Sequence, residues 1–240
     1  MTGLIYKEWK QNRWYIISMI FCGALPLIAY IALIDQIHNS GQLSGCVMIA
    51  TLSAFIAAGI LQMMVLNGDD RKLWGYFIAS SPDGYRGFLR IKYEMIFFME
   101  LLFFTSLAFI LSLVCSLAAD SGIEDALAVS QSAEAIIIPI VFLQILFRAF
   151  DIPFAYRFGI RKGSTVKMIC FVLLAIVFTV ILILTADYTD VMIDDLKAML
   201  TGEKIGLLLY SVFAGILVMY CISYLITCRL YMKGVEQYDK

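Results

Sequence analysis

Six apolar stretches, each near the length needed to cross a bilayer, follow one another along this chain: residues 14–34, 45–66, 95–119, 133–154, 168–186 and 205–227. A crossing helix needs about 20 apolar residues. Backbone groups in hydrocarbon must find partners within their own segment, so an open chain crosses as helix. The expected fold class is therefore all-α: a polytopic membrane protein with six transmembrane helices, forming a single transmembrane domain over residues 1–240. Composition supports this. The chain is 62% hydrophobic and 15% charged, against about 25% charged in a soluble domain, so lipid must cover what charge cannot. The connections are too short to hold an independent soluble domain. A secretory signal peptide would have a shorter core and a small-residue cleavage site, and the first run is too long for that.

Charge between the runs sets the orientation. Lys7, Lys10 and Arg13 precede the first run, and Arg71, Lys72, Arg86, Arg90 and Lys92 lie between the second and third. Arg157, Arg161, Lys162 and Lys167 lie between the fourth and fifth, and Arg229, Lys233 and Lys240 end the chain. With Arg148 at the inner end of the fourth run, 16 of the 18 lysines and arginines fall on one side. The opposite connections carry Asp35, Asp120, Glu124, Asp125, Asp187, Asp190, Asp194 and Asp195, with Lys197 and Lys204. Basic residues stay cytosolic during insertion, so both termini are expected inside. The net charge of −1 gives no basic field for nucleic acid.

Three connections are more than linkers. In the loop 67–94, Leu73, Trp74, Phe77 and Ile78 recur at helical spacing, with Asp69, Lys72, Tyr76 and Ser80 on the other face. Asp69 and Asp70 suit the first turn of a helix, and Ser81-Pro82-Asp83-Gly84 supplies turn chemistry that ends it. A short amphipathic helix follows, either docked on another protein or anchored in lipid headgroups. Residues 1–13 place Ile5, Tyr6 and Trp9 on one face and Lys7, Lys10 and Gln11 on the other, which predicts an interfacial helix lying flat before the chain turns into the first crossing. The elbow 156–167, with Arg157, Arg161 and Lys162, can meet an acidic partner surface or anionic lipid.

The opening Gly3-Leu4-Ile5-Tyr6-Lys7-Glu8-Trp9-Lys10 resembles the start of permease subunits of ABC type-2 exporters. The same holds for Asp69-Asp70-Arg71-Lys72-Leu73-Trp74-Gly75-Tyr76, Ser81-Pro82, Tyr85-Arg86 and Lys92-Tyr93. The chain also resembles the small bacterial six-helix permeases that include the phenol-soluble-modulin exporters. The motif likeness covers residues 3–10 and 69–93; the topology likeness covers the whole chain. Asp83-Gly84 departs from the pattern as a more turn-prone pair. The resemblance implies a permease of the bacterial cell membrane that pairs with a second, identical or homologous, permease subunit and docks separate ABC ATPase subunits. ATP and magnesium would be bound by that partner and no cofactor by this chain. It assigns ATPase coupling to Asp69, Asp70, Arg71, Lys72, Leu73, Trp74, Tyr76 and Phe77, and a second cytosolic contact to Arg157, Arg161 and Lys162. It implies an external gate at the fifth helix and the amphipathic segment 187–204, and an amphipathic peptide or hydrophobic compound as cargo.

Catalytic chemistry has no foothold in the residues. The phosphate-cradling G-x-x-x-x-G-K-[ST] sequence is missing, as are G-x-S-x-G and H-E-x-x-H. Cys22, Cys115, Cys170, Cys221 and Cys228 lie in or beside apolar runs, Cys46 sits near the start of one, and His38 stands apart from all of them, so no metal-ligand spacing arises. The chain is not expected to be an enzyme. Inside the crossings, Glu100, Arg148 and Asp151 need company. Arg148 and Asp151 are one turn apart, and Glu100 lies at similar depth. They form either a buried structural bridge or the polar lining of an inward-facing path. Gln62 and Gln144 suit hydrogen bonds between helices. A stand-alone secondary transporter or channel is the alternative, with Pro26, Pro139 and Pro153 as a faint echo of broken helices in two halves. A membrane enzyme or sensor subunit is a third reading.

Overall fold

The computed structural model describes residues 2–34, 37, 39–66, 72–121, 123, 126–184 and 204–236, without the side chains of 2, 72, 126–138, 160, 161, 174, 175, 178–184 and 204–209. Within these the chain is all helix: α1 (Thr2–Gly23), α2 (Leu25–Ala32), α3 (Ser40–Met64), α4 (Lys72–Ala79), α5 (Gly84–Asp120), α6 (Ala126–Phe158), α7 (Ile160–Leu184) and α8 (Lys204–Val235). Among the described residues, α3, α5, Pro139–Phe158 of α6 and Tyr210–Val235 of α8 are long and apolar enough to cross a membrane. The pair α1–α2 makes a fifth if its 45° bend is counted within one span. The side chains of 178–184, at the end of α7, and all of residues 185–203 lie outside the described residues, and with them the predicted external segment 187–204 up to Lys204.

Two compact units divide the chain, residues 1–69 with 74–145, and residues 70–73 with 146–240. In the first, α1 packs on α5 and α3, and α2 on α3 and α5. The spine is α5, about 55 Å long at 1.5 Å per residue. Its buried stripe Leu89, Lys92, Ile96, Met99, Phe103, Leu107, Leu111, Val114 and Ala118 recurs every three or four residues. Leu101, Phe109, Leu113 and Leu117, equally apolar, point outward. On α3 the inward stripe contains Ala50, Ala54 and Ala58 at four-residue spacing, small enough to admit a neighbouring helix, while Ile49, Ile56 and Ile60 face out.

The predicted flat N-terminal helix that turns at residue 13 is replaced by one unbroken helix from Thr2 to Gly23. The reason lies in its inward stripe, Glu8, Asn12, Ile16 and Met19, all buried. These residues keep the same face against α5 and leave Ile5, Tyr6 and Trp9 outside. The break comes later, at Ala24, where Pro26 opens α2 and a proline ring cannot continue the preceding helix. Just before it, a Cβ on Gly23 would run into Ser106 of α5, so only glycine permits that approach.

The second unit holds the end of α6 with α7 and α8. The prolines expected to interrupt the fourth crossing, Pro139 and Pro153, lie inside α6 without ending it. The predicted elbow at 156–167 is compressed to one residue, Gly159, whose φ of 77° turns α6 into α7. Gly163 then passes so close to α6 that a Cβ would lie 2.6 Å from the Phe154 carbonyl oxygen. Gly234 of α8 abuts the Tyr156 carbonyl in the same way.

Candidate functional site

From Trp74 onward, the short helix α4 belongs to the first unit. It ends where Ser80 and Ser81 turn their hydroxyls back to the carbonyls of Phe77 and Ile78, at 2.9 and 2.7 Å. Gly84 N–H then donates to the Ser81 carbonyl (2.9 Å) and, at φ 60°, opens α5. The turn-prone pair Asp83-Gly84 thus joins the two helices. The apolar face expected of α4 splits in two. Ile78 is buried and Trp74 half-buried, its ring 6.3 Å from Phe88 of α5 in an edge contact. Leu73 and Phe77, one turn apart, are exposed at 84% and 63%. Tyr76 is exposed too. Asp69, Asp70 and Arg71 lie outside the described residues, as does the Lys72 side chain.

Behind α4 lies a charge cluster that sequence reasoning missed. Lys7 Nζ stands 4.0 Å from the centre of the Trp74 ring and 2.7 Å from Glu8 Oε1. Glu8 Oε2 lies 2.6 Å from Lys92 Nζ, with both side chains almost wholly removed from solvent. Lys92 also donates to the Val65 carbonyl at the end of α3 (3.0 Å), and Asn12 donates to Glu8 Oε2 (3.2 Å). One ammonium thus ties together α1, α5 and the end of α3, and a second leads from the pair to α4. Burying two charges is tolerable only when each finds its opposite and its remaining hydrogen bonds, and both conditions are met here. The available signal was the spacing of Glu8 and Asn12 with Ile16, which puts a carboxylate on the stripe that packs inward.

Glu100 is buried in the first unit and accepts a hydrogen bond from the Gln62 amide of α3. Gln62 therefore serves as interhelical glue. Gln144, given the same expectation, is buried with no partner for its amide among the described residues. In the second unit, Arg148 Nη1 lies 2.9 Å from Asp151 Oδ2, the one-turn pair its spacing allows. Lys167 of α7 closes on the other oxygen, Asp151 Oδ1. That third member was placed in the elbow by sequence and given no role. Of the second cytosolic set, Arg157 donates from Nη1 to the Lys233 carbonyl at 2.6 Å, tying α6 to the end of α8. Lys162 is exposed, and the Arg161 side chain lies outside the described residues.

The family model described as "ABC-2 family transporter protein" matches residues 3–232. The chain belongs to that family, and is a multi-pass membrane permease of an ABC transporter. No curated protein and no solved structure matches it.

Proposed function

We propose that this chain is the membrane-spanning permease subunit of an ATP-driven exporter of the bacterial cell membrane, with six crossings and both termini in the cytosol. It pairs with a second permease subunit and docks separate ATPase subunits, which bind ATP and magnesium. The observation that carries this reading is α4. Eight residues long, it shows Leu73 and Phe77 to its surroundings and stands on the first unit through Trp74. An apolar pair one turn apart is the kind of anchor that a groove on a partner receives, with Asp69, Asp70, Arg71 and Lys72 at the entry and Tyr76 beside it. Movement of the ATPase then reaches Trp74, passes to Lys7 and Phe88, and arrives at α1 and α5 through the Glu8–Lys92 pair. Arg161 and Lys162 make the second contact, with Arg157 fixing the elbow from which they project. Glu100, Arg148 and Asp151 line or brace the inward-facing path. The cargo is an amphipathic peptide or hydrophobic compound, in keeping with 12 methionines and 17 phenylalanines that give adaptable apolar walls.

The test replaces both anchors. Leu73→Asp with Phe77→Asp should abolish co-purification of the ATPase and ATP-dependent transport in inverted vesicles, while the permease itself stays in the membrane at normal level. Undiminished ATP-dependent transport by the double variant, or transport by this chain in vesicles free of any ATPase, would contradict the reading.

A further inference from the structure

An apolar cavity of about 320 Å³ lies within the second unit, between the inner half of α6 and α8. Its walls are Phe150 and Phe154 on one helix and Met219, Ile222 and Ile226 on the other. The two helices run parallel there. The Ser223 hydroxyl donates to the Ala149 carbonyl at one end, and the Tyr156 and Tyr231 rings meet at 5.6 Å near the other. From Ala149 to Phe158 the α6 wall is about 13 Å long at 1.5 Å per residue. One leaflet's share of a hydrocarbon core of about 30 Å is about 15 Å, so the cavity has the length of an acyl chain lying in a single leaflet.

The ends of the cavity differ. Its deep end is apolar, and its other end is closed by the Arg157 guanidinium, which keeps further N–H donors after its bond to the Lys233 carbonyl. Lys233, whose carbonyl holds Arg157, is exposed at that end, next to Gly234 where α8 touches α6. Glu236, three residues after Lys233, is exposed and carries the opposite charge. Met219, Ile222 and Ile226 are substantially exposed, so the cavity is open to whatever surrounds the chain. An apolar slot one leaflet long with cations at one end complements a molecule with a long apolar tail and an anionic head.

We propose that this cavity is a binding site for an anionic phospholipid, with one acyl chain between α6 and α8 and its phosphate against Arg157 and Lys233. With both termini cytosolic, as proposed above, the lipid belongs to the inner leaflet; the binding itself does not depend on that orientation. The bound lipid fills the gap beside the elbow at Gly159 and so helps hold the C-terminal end of α8 against α6.

The experiment is native mass spectrometry of the detergent-purified chain incubated with phosphatidylglycerol or phosphatidylcholine. Wild type should retain phosphatidylglycerol in preference. Lys233→Gln, which leaves the backbone carbonyl in place, should lower that preference about fivefold, and Arg157→Gln by at least as much. Ile222→Trp, which fills the slot without touching the charges, should remove the retained lipid of either kind. Equal retention of the two lipids by wild type would overturn the proposal. So would unchanged adducts in the Ile222→Trp variant, or retention of a second copy of the chain in place of lipid.

Discussion

The two units bury charge in opposite ways. In the first, Glu8 and Lys92 come from helices far apart in the chain and meet only because α1 packs along α5. In the second, Arg148 and Asp151 share one helix, and Lys167 arrives from the next helix just beyond the Gly159 turn. The first arrangement ties α1, α5 and the end of α3 together, with Lys7 reaching from it to Trp74 of α4. The second braces a local bend, while α8 is held to α6 by other contacts: the close approach at Gly234, the Arg157 bond, the Ser223 hydroxyl on the Ala149 carbonyl and the Tyr156–Tyr231 ring contact. If α4 receives force from an ATPase, as proposed above, the long-range pair stands directly behind it.

The sharpest way to break this contrast is to remove the carboxylate of the long-range pair. Glu8→Ala leaves Lys92 buried without its partner and should cost about 3–5 kcal/mol, seen as a large drop in melting temperature of the detergent-purified chain. Glu8→Leu with Lys92→Met should recover most of that loss, since a buried pair is replaceable by apolar packing while a lone buried charge is not. A single Glu8→Ala variant that melts like wild type would mean the pair is not a lock.

Next in size is the backbone contact of the second unit. Gly234→Val drives a side chain into the Tyr156 carbonyl and should destabilise by about 1–3 kcal/mol, read as faster proteolysis near the C-terminus. Gly215→Val is the control on the same helix, where an added Cβ meets nothing within 4 Å. The smallest effect is expected at the brace. The Lys167 side chain is 25% exposed, and Asp151 keeps Arg148 when Lys167→Gln is made, so the loss should stay within about 1 kcal/mol. A loss at Lys167 as large as that at Glu8 would erase the distinction between lock and brace.

Much of the architecture was legible because apolar length is a direct readout of hydrocarbon thickness. The same readout hid where the helices begin. The α5 helix starts at Gly84, well before the apolar run at 95, because Tyr85 to Glu94 mixes charge with aromatic residues and carries no hydrophobic-length signal. Nor does periodicity within a crossing say which face packs: Leu111 is buried and Phe109 exposed, yet both are apolar, since lipid and protein reward the same side chains. On α4 the spacing of Leu73, Trp74, Phe77 and Ile78 gave the helix. It gave one apolar face where there are two, because 73 and 77 sit about 100° around the axis from 74 and 78. The pair Arg148–Asp151 was legible from local spacing. The Glu8–Lys92 pair was not, because its cause is the packing of α1 on α5.

The account rests on α4 as the point where an ATPase engages. A photoreactive phenylalanine analogue at position 77 tests it directly, with the same analogue at position 109, an outward-facing site on α5, as the reference. The account predicts that illumination joins the position-77 permease to the ATPase subunit and leaves the position-109 permease without that product. Equal yields at the two positions, or no ATPase product at position 77 in a complex that hydrolyses ATP, would contradict it.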